Sequence, residues 1–464
     1  MTVTKILVLS VFLNCCLLNS IFSQEASLWL SNQEQTQVLA LQEKPLRFKT
    51  EIDKNLANID VNIDKKYQSI DGFGFALTGG SAQHLQAMSA GERAKLLQEL
   101  FGSDKTSVGI SYLRLSIGAS DLNDHVFSYN DLQPGETDVK LDKFDLDQDK
   151  KDIIPMMREI LAINPSIKIL ASPWSAPTWM KTNGNVQGGR LKEEYYGVYA
   201  TYFVKYVQEM KKNGIEIDAI TIQNETFNDG NTPSMQMFAK EQLAFIKNHL
   251  GPQFRSNNIK TKIILYDHNC DAPEYPMSIL ADAEAAKYVD GSGFHLYTGT
   301  TDALSKVHDA FPDKALYFTE MMAVSRNGYN IAGPVDRILI GATRNWSRNV
   351  ILWNLAANSK YEPHTNNGGC SICQGAVTID GDNVVRNTAY YVIAHASKFV
   401  SPGALRVESS QQSNLGSVAF STPDGKVVLI VANKDKQEQQ FNVNFKGKAF
   451  VGSLSAGAVG TYVW

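Results

Sequence analysis

The chain has no basic block. Its 464 residues carry 44 lysines and arginines against 48 aspartates and glutamates, a net charge of −4, so a nucleic-acid partner has no electrostatic support. There is no low-complexity tract, no long linker and no repeat beyond a β-then-α alternation. Apart from one leading run, no stretch is apolar enough over its length to cross a bilayer, which predicts a protein without an integral membrane segment once that run is removed. Cysteine is scarce as well: five in all, with Cys15 and Cys16 inside the leading run, leaving Cys270, Cys370 and Cys373. That number does not complete a zinc site. Cys370 and Cys373 with nearby His364 would form part of one, but no fourth ligand is evident.

The leading run reads as a targeting segment. Lys5 precedes the apolar stretch Ile6–Leu18, followed by Asn19-Ser20-Ile21-Phe22-Ser23 and the polar Gln24-Glu25. This is the pattern of a signal peptide, residues 1–23, cut after Ser23. A lipoprotein signal ending at Cys15 or Cys16 is the alternative, disfavoured by Asn14. The expectation is an exported protein, periplasmic, outer-surface or extracellular. In that setting Cys370-Ser-Ile-Cys373, set after Gly368-Gly369, reads most simply as a local disulfide pinning a long loop, and Cys270 as a buried thiol.

What the chain has in quantity is strand-like runs, each feeding a helical stretch. Apolar, β-rich runs occur at Gly72–Leu77, Ile110–Gly118, Lys168–Ser175, Ala219–Glu225, Lys262–His268, Gly291–Tyr297, Ala315–Met321 and Asn349–Ala356. Nearly all lack strict alternation, as suits strands buried on both faces. Helix-patterned stretches such as Glu194–Asn213 and Pro233–Leu250 lie between several of them. Eight such units favour a closed (β/α)8 barrel, with an open doubly wound sheet as the rival. A barrel does not use up 464 residues. After Pro402 the pattern changes to alternating strands with turns, and Leu28–Leu30, Val38–Leu41 and Ile59–Ile63 are also strand-like. The expected organisation is a barrel over 67–398 and one side antiparallel β-domain built from both chain ends, 24–66 and 399–464.

Two of the eight runs end in glutamate: Ile222-Gln223-Asn224-Glu225 in the fourth and Phe318-Thr319-Glu320 in the seventh. The C-terminal strand ends of a barrel converge on one mouth, so these carboxylates would face each other. Either one alone would read as a structural residue paired with an arginine. Facing carboxylates are the machinery of glycoside hydrolysis, in which one attacks the anomeric carbon and the other protonates the leaving oxygen.

At this point the residues resemble a known family, glycoside hydrolase family 30, which includes glucosylceramidases and endo-β-1,6-glucanases. The resemblance runs from about Val61 to Trp464. It is carried by Ile70-Asp71-Gly72-Phe73-Gly74, Leu113-Arg114-Leu115-Ser116 with Gly118-Ala119-Ser120-Asp121, Ser172-Pro173-Trp174-Ser175-Ala176-Pro177-Thr178-Trp179-Met180-Lys181, Gln223-Asn224-Glu225, Phe294-His295-Leu296-Tyr297, Phe318-Thr319-Glu320 and Leu352-Trp353-Asn354-Leu355. It implies a retaining, metal-independent enzyme without a cofactor, secreted by a bacterium. Position by position, it makes Glu225 the acid/base and Glu320 the nucleophile. Asn224 would bind the sugar 2-hydroxyl, Tyr297 would orient Glu320, and Asp121, Trp174 and Trp353 would hold the sugar at the −1 subsite. Arg114 and Trp179 would support them from behind.

Two departures bear on substrate. Thr226-Phe227 follows Glu225 where glucosylceramidases usually carry Pro-Ser, and Met321-Met322 follows Glu320 where they tend to have Ala-Cys. The loop Lys360–Gln374 also looks more like that of polysaccharide-active members. The expectation is a retaining hydrolase of β-linked glucosides, an endo-β-1,6-glucanase acting on β-1,6-glucan. The alternative is a glucosylceramidase-type β-glucosidase acting on glucosyl lipids or small β-glucosides. A third reading, a catalytically silent carbohydrate-binding protein, is opposed by the presence of both glutamates.

Overall fold

The computed structural model describes residues 24–322 and 329–464. Residues 1–23, expected to be a signal peptide, lie outside the described residues. All eight expected runs form parallel strands: β1 (Gly72–Ala76), β2 (Tyr112–Ile117), β3 (Lys168–Pro173), β4 (Ala219–Thr221), β5 (Lys262–Cys270), β6 (Gly291–Gly299), β7 (Ala315–Glu320) and β8 (Ser347–Leu352). They close into a barrel in chain order, β8 pairing with β1 through Asn349 opposite Gly72. The open-sheet alternative is thereby overturned.

The barrel interior is filled in layers, as parallel strands of two-residue period require. Tyr112, Leu170, Ala219, Ile264, Tyr317 and Ile351 form a closed apolar layer near the N-terminal ends. Two residues further along four of these strands the layer turns polar: Arg114, Ser172, Thr221 and Thr319 occupy the same faces and are buried. On β5 the alternation is interrupted. Tyr266 and Asp267 take left-handed backbone (φ 71° and 58°), and the pairing with β6 shifts register between Gly293 and Phe294. This brings Asp267 into the polar layer, where it meets Arg114, Thr221 and Thr319.

Outside the barrel, the expected helix Glu194–Asn213 is found as Tyr196–Lys212, whose buried Tyr199, Phe203, Tyr206 and Met210 make its inner face. The stretch expected as helix from Pro233 begins later. Its helical part starts at Ala239 and runs on through successive segments to Ser256. Residues 233–237 are instead held as loop, because Ser234 N–H donates to Val186 and Met237 N–H to Thr226. No helix among the described residues is long and apolar enough to cross a membrane.

Of the remaining strands, Ala356–Ala357, Val377–Asp380 and Asn383–Arg386 form a small three-stranded sheet and the others a separate ten-stranded one. Strands from the N-terminal end, Glu25–Ser31 and Ala57–Ser69, are interleaved with Leu405–Ser409, Leu415–Ser421, Val427–Asn433, Gln439–Phe445, Lys448–Leu454 and Val459–Val463 from the C-terminal end. Glu25–Ser31 pairs with Val459–Val463, so the two ends of the chain close one module. Ile59, Val61, Val407, Leu429, Val431, Phe441, Val443 and Phe450 supply its core. His395, on the helix Thr388–Ser397, ties barrel to sheet: its ring nitrogens contact Thr461 Oγ1 at 2.9 Å and Ser31 Oγ at 2.8 Å.

Candidate active site

The C-terminal ends of the strands open on a cavity of about 370 Å³. Glu225 and Glu320 both line it, buried to 7% and 5% exposure. One oxygen of each lies within 4.8 Å of the other, with His295 Nδ1 inside the same limit. Such a separation is close to the about 5–5.5 Å of a nucleophile and acid/base pair and well short of the about 6.5–9.5 Å that leaves room for a water between carboxylates. Glu225 sits just past β4 in left-handed backbone (φ 49°), an unfavourable state for a residue with a Cβ and one that clusters at functional sites.

Arg114 organises the floor of the cavity. Its side chain has no exposed surface, and it donates to Glu320 Oε2 at 2.6 Å, Asn224 Oδ1 at 2.7 Å, Asp267 Oδ2 at 2.8 Å and Ser172 Oγ at 3.2 Å. The sequence placed it behind the site; the structure puts it in direct contact with a carboxylate of the pair. Tyr297 donates its hydroxyl to the other oxygen of Glu320 at 2.9 Å. By binding Oδ1 of Asn224, Arg114 fixes that amide and turns its NH2 group away from the guanidinium.

The other wall is aromatic. Trp174, just past β3, stacks on Trp353, just past β8, at 5.3 Å between ring centroids, and the Arg114 guanidinium lies 4.8 Å from the Trp174 ring. The Trp174 indole N–H has no hydrogen-bond partner among the described residues. Asp121, in the loop after β2, completes this wall. Burial, with the charges of Glu320 and Glu225 added, pushes its carboxyl up to about 7. The backbone N–H of Cys370 donates to it, and Cys370 and Cys373, joined as a disulfide, line the cavity themselves. Cys270 is a buried free thiol. Trp179 does not line the cavity; its Nε1 donates to Asn130, bracing the loop behind.

Sequence reasoning missed two residues of the charge network, Asp267 and His295. His295 is fully buried, with Nδ1 3.3 Å from Glu225 Oε1 and 3.7 Å from Glu320 Oε1, and Nε2 3.1 Å from Asp267 Oδ1. Burial alone would lower its pKa, but the charge of Glu320 and the bonds to Asp267 and Glu225 outweigh it and push the ring up to about 10. It is an imidazolium, donating on both sides. Glu225, His295 and Glu320 also have the spacing of a cation site. Burial tends to raise Asp267; Arg114 and His295 hold it well below the usual carboxylate range. The same conflict divides the pair. Burial tends to raise Glu225, yet His295 and an Asn228 amide at 2.5 Å hold it below the ordinary glutamate value. Glu320 is raised, by burial first and by Glu225, against His295 and Arg114.

One signal for Asp267 was in the strand runs, since Asp267-His268 closes the fifth run as Asn224-Glu225 closes the fourth. His295 stood two residues before Tyr297 in a run already singled out.

Comparison with known proteins agrees with this arrangement. The Glycosyl hydrolase family 30 TIM-barrel domain matches residues 70–400 and the family's beta sandwich domain matches residues 403–462. An endo-1,6-beta-D-glucanase of Aspergillus fumigatus is 34% identical, over 85% of this chain and 85% of its own. The lysosomal acid glucosylceramidase of Mus musculus is 28% identical, over 86% and 82%. The solved structure of the endo-beta1,6-glucanase BT3312 superposes with a TM-score of 0.87 at 33% identity, covering 95% of this chain and 99% of that one.

Proposed function

The chain belongs to glycoside hydrolase family 30, and we propose that it cleaves β-1,6-linked glucan by double displacement, with Glu320 as nucleophile and Glu225 as acid/base. The observation that carries the retaining course is the separation of the pair, with oxygens within 4.8 Å. In the first step an oxygen of Glu320 attacks the anomeric carbon, the bond to the leaving oxygen breaks, and Glu225 gives its proton to that oxygen. In the second, water attacks the same carbon, Glu225 takes its proton, and the bond to Glu320 breaks.

The surrounding residues set the charges for these steps. Arg114 and Tyr297 each bind one oxygen of Glu320, which orients it and opposes the burial that raises its pKa. Glu225 is held below its ordinary value by His295 and Asn228 against burial. A sugar seated against it removes water from the carboxylate, which favours the protonated form that the first step needs. Asp121 and the Trp174 indole N–H line the cavity as acceptor and donor for sugar hydroxyls, Trp353 backs them, and the Asn224 amide, held by Arg114 and outside the lining, is assigned to the 2-hydroxyl by the family resemblance.

Substrate choice rests on the relatives and on the cavity. The fungal relative and BT3312 are both endo-1,6-β-glucanases and have higher identity to this chain than the glucosylceramidase has. A β-1,6 linkage leaves through the exocyclic C6, whose extra rotatable bond lets a chain bend out of a walled pocket. Residues 1–23 as an export signal, and the two chain ends as one accessory domain, complete the proposal. Product analysis on pustulan, laminarin, cellulose oligosaccharides and glucosylceramide tests it. Release of gentio-oligosaccharides from pustulan ahead of the others is the expected outcome. Hydrolysis of glucosylceramide with no sugar released from pustulan would replace this reading by the glucosylceramidase one.

A further inference from the structure

Two exposed phenylalanines stand at the cavity mouth on the side of Glu225. Phe227 and Phe238 keep 37% and 38% of their surface exposed, with ring centroids 6.1 Å apart. Phe227 lines the cavity two residues after Glu225; Phe238 lies next to it, beyond the lining. Both are fixed from behind. His268 and Tyr275 meet the Phe227 ring edge-to-face at 5.4 and 5.5 Å. Phe238 opens the helix Ala239–Phe245, with its backbone N–H donating to Glu241 Oε2 at 2.8 Å. Arg190, bonded to Glu241 Oε1 at 3.0 Å, sits 6.0 Å from the Phe238 ring. Rigid apolar rings left in water beside a reaction centre mark a contact surface.

We propose that Phe227 is the stacking platform of the +1 subsite and Phe238 that of the +2 subsite, receiving the C–H faces of the leaving glucan. The assignment rests on Glu225 as acid/base. That residue must touch the leaving oxygen, so the first sugar beyond the broken bond lies on its side of the cavity, where Phe227, two residues along the chain, lines the wall with an exposed ring. A β-glucopyranosyl unit presents axial C–H groups on both faces, which match a flat ring. Phe238, 6.1 Å from Phe227 and beyond the lining, continues the surface for a second sugar. Two subsites on the leaving side favour cleavage within a chain over removal of single end residues. Phe227 is also one of the two positions after Glu225 where glucosylceramidases usually carry Pro-Ser.

The platform is read from the partition of the glycosyl-enzyme. With β-glucosyl fluoride as donor, the C–F bond breaks, fluoride leaves, and the glucosyl group on Glu320 passes either to water or to a hydroxyl of an added acceptor, whose proton goes to Glu225. The ratio of transfer to hydrolysis cancels changes in the first step. Phe227→Ala should lower this ratio for methyl β-glucoside and for gentiobiose by about tenfold or more. Phe227→Trp should restore it and Phe227→Leu should not. Phe238→Ala should remove only the advantage of gentiobiose over methyl β-glucoside. An unchanged ratio in Phe227→Ala overturns the platform, as does a wild type that transfers to neither acceptor. Leu serving as well as Trp overturns it too, because that outcome describes a surface for alkyl chains. A wild type that transfers to β-glucosides but leaves pustulan intact refutes the linkage and not the platform.

Discussion

Arg114 holds Nη1 2.6 Å from Oε2 of Glu320 with no exposed surface on its own side chain. The same guanidinium bonds Asp267, so two buried carboxylates depend on one cation. Arg114→Met should therefore fail in two separable ways. Removing one partner of a buried ion pair leaves uncompensated charge, which costs about 3–5 kcal/mol, visible as a lowered Tm. Among molecules still folded, the acid limb of kcat/KM should move to higher pH, because Glu320 loses a cation that favours its ionised form. A stable variant with an unmoved acid limb contradicts the role given to this pair.

Azide can assign the two glutamates independently. Glu225→Ala should lose most activity on ordinary glucosides yet still cleave an activated aryl glucoside, since that leaving group needs no proton. Added azide should then attack the glycosyl-enzyme and give the β-azide. Glu320→Ala should lose turnover by several orders of magnitude, and azide entering from the vacant face should give the α-azide. The opposite pairing of variants and anomers would exchange the roles.

The fold was legible because the barrel strands are continuous apolar runs, and the glutamates because they end two of those runs. Asp267 was not, although it ends a run as well. Its inward direction comes from the left-handed turn at Tyr266 and Asp267, and the apolar pattern of a strand carries no sign of such a bulge. His295 was hidden likewise: the β6–β7 pairing slips between Phe294 and His295, which puts His295 opposite Glu320. The Cys370–Cys373 pairing was readable from the short spacing in a chain expected to be exported. Its place in the cavity wall was not, since a long loop after β8 delivers it. The late start of the helix after Glu225 was missed because residues 233–237 are apolar enough to fit a helical face, and it is contacts with residues 186–190 and with Thr226 that hold them as loop.

His295 carries a pH prediction. Its positive charge faces both glutamates and favours the ionised form of each. The ring is pushed up to about 10, so it keeps that charge through the range in which the pair titrates. The protons leave the pair in coupled steps, and both limbs of the kcat/KM profile belong to it. His295→Gln removes the charge, so both limbs should move to higher pH. A reduced rate with the bell in its original place would leave His295 as packing only.

Asp121 depends on the disulfide. The Cys370 N–H donates to its carboxylate, and the pushed-up pKa of about 7 shows how readily burial could leave it neutral. Cys370→Ser/Cys373→Ser frees the loop and should raise KM more than it lowers kcat, because sugar binding is lost before proton transfer. A thiol reductant should have the same effect on the wild type and none on the double variant. Equal sensitivity in both would place the reducible element elsewhere.

His395 ties pH to stability at the junction of barrel and sheet. Burial lowers its pKa from 6.5 to about 3, so the folded protein keeps the ring neutral between Ser31 and Thr461. The unfolded chain binds a proton there below about pH 6.5 and the folded chain does not. The stability from this residue is therefore fully present above about pH 6.5 and falls as pH drops towards 3, by up to about 1.4 kcal/mol per pH unit within that window. Asp149 works in the opposite sense: burial pushes its carboxyl up to about 8, so its contribution declines as pH rises through the range where the unfolded carboxyl ionises. The comparison that isolates His395 is wild type against His395→Gln, in which Asp149 is common to both. Denaturant unfolding between pH 7 and pH 4 should show wild-type stability falling more steeply than that of the variant, and parallel slopes would remove His395 from the acid limit of the fold.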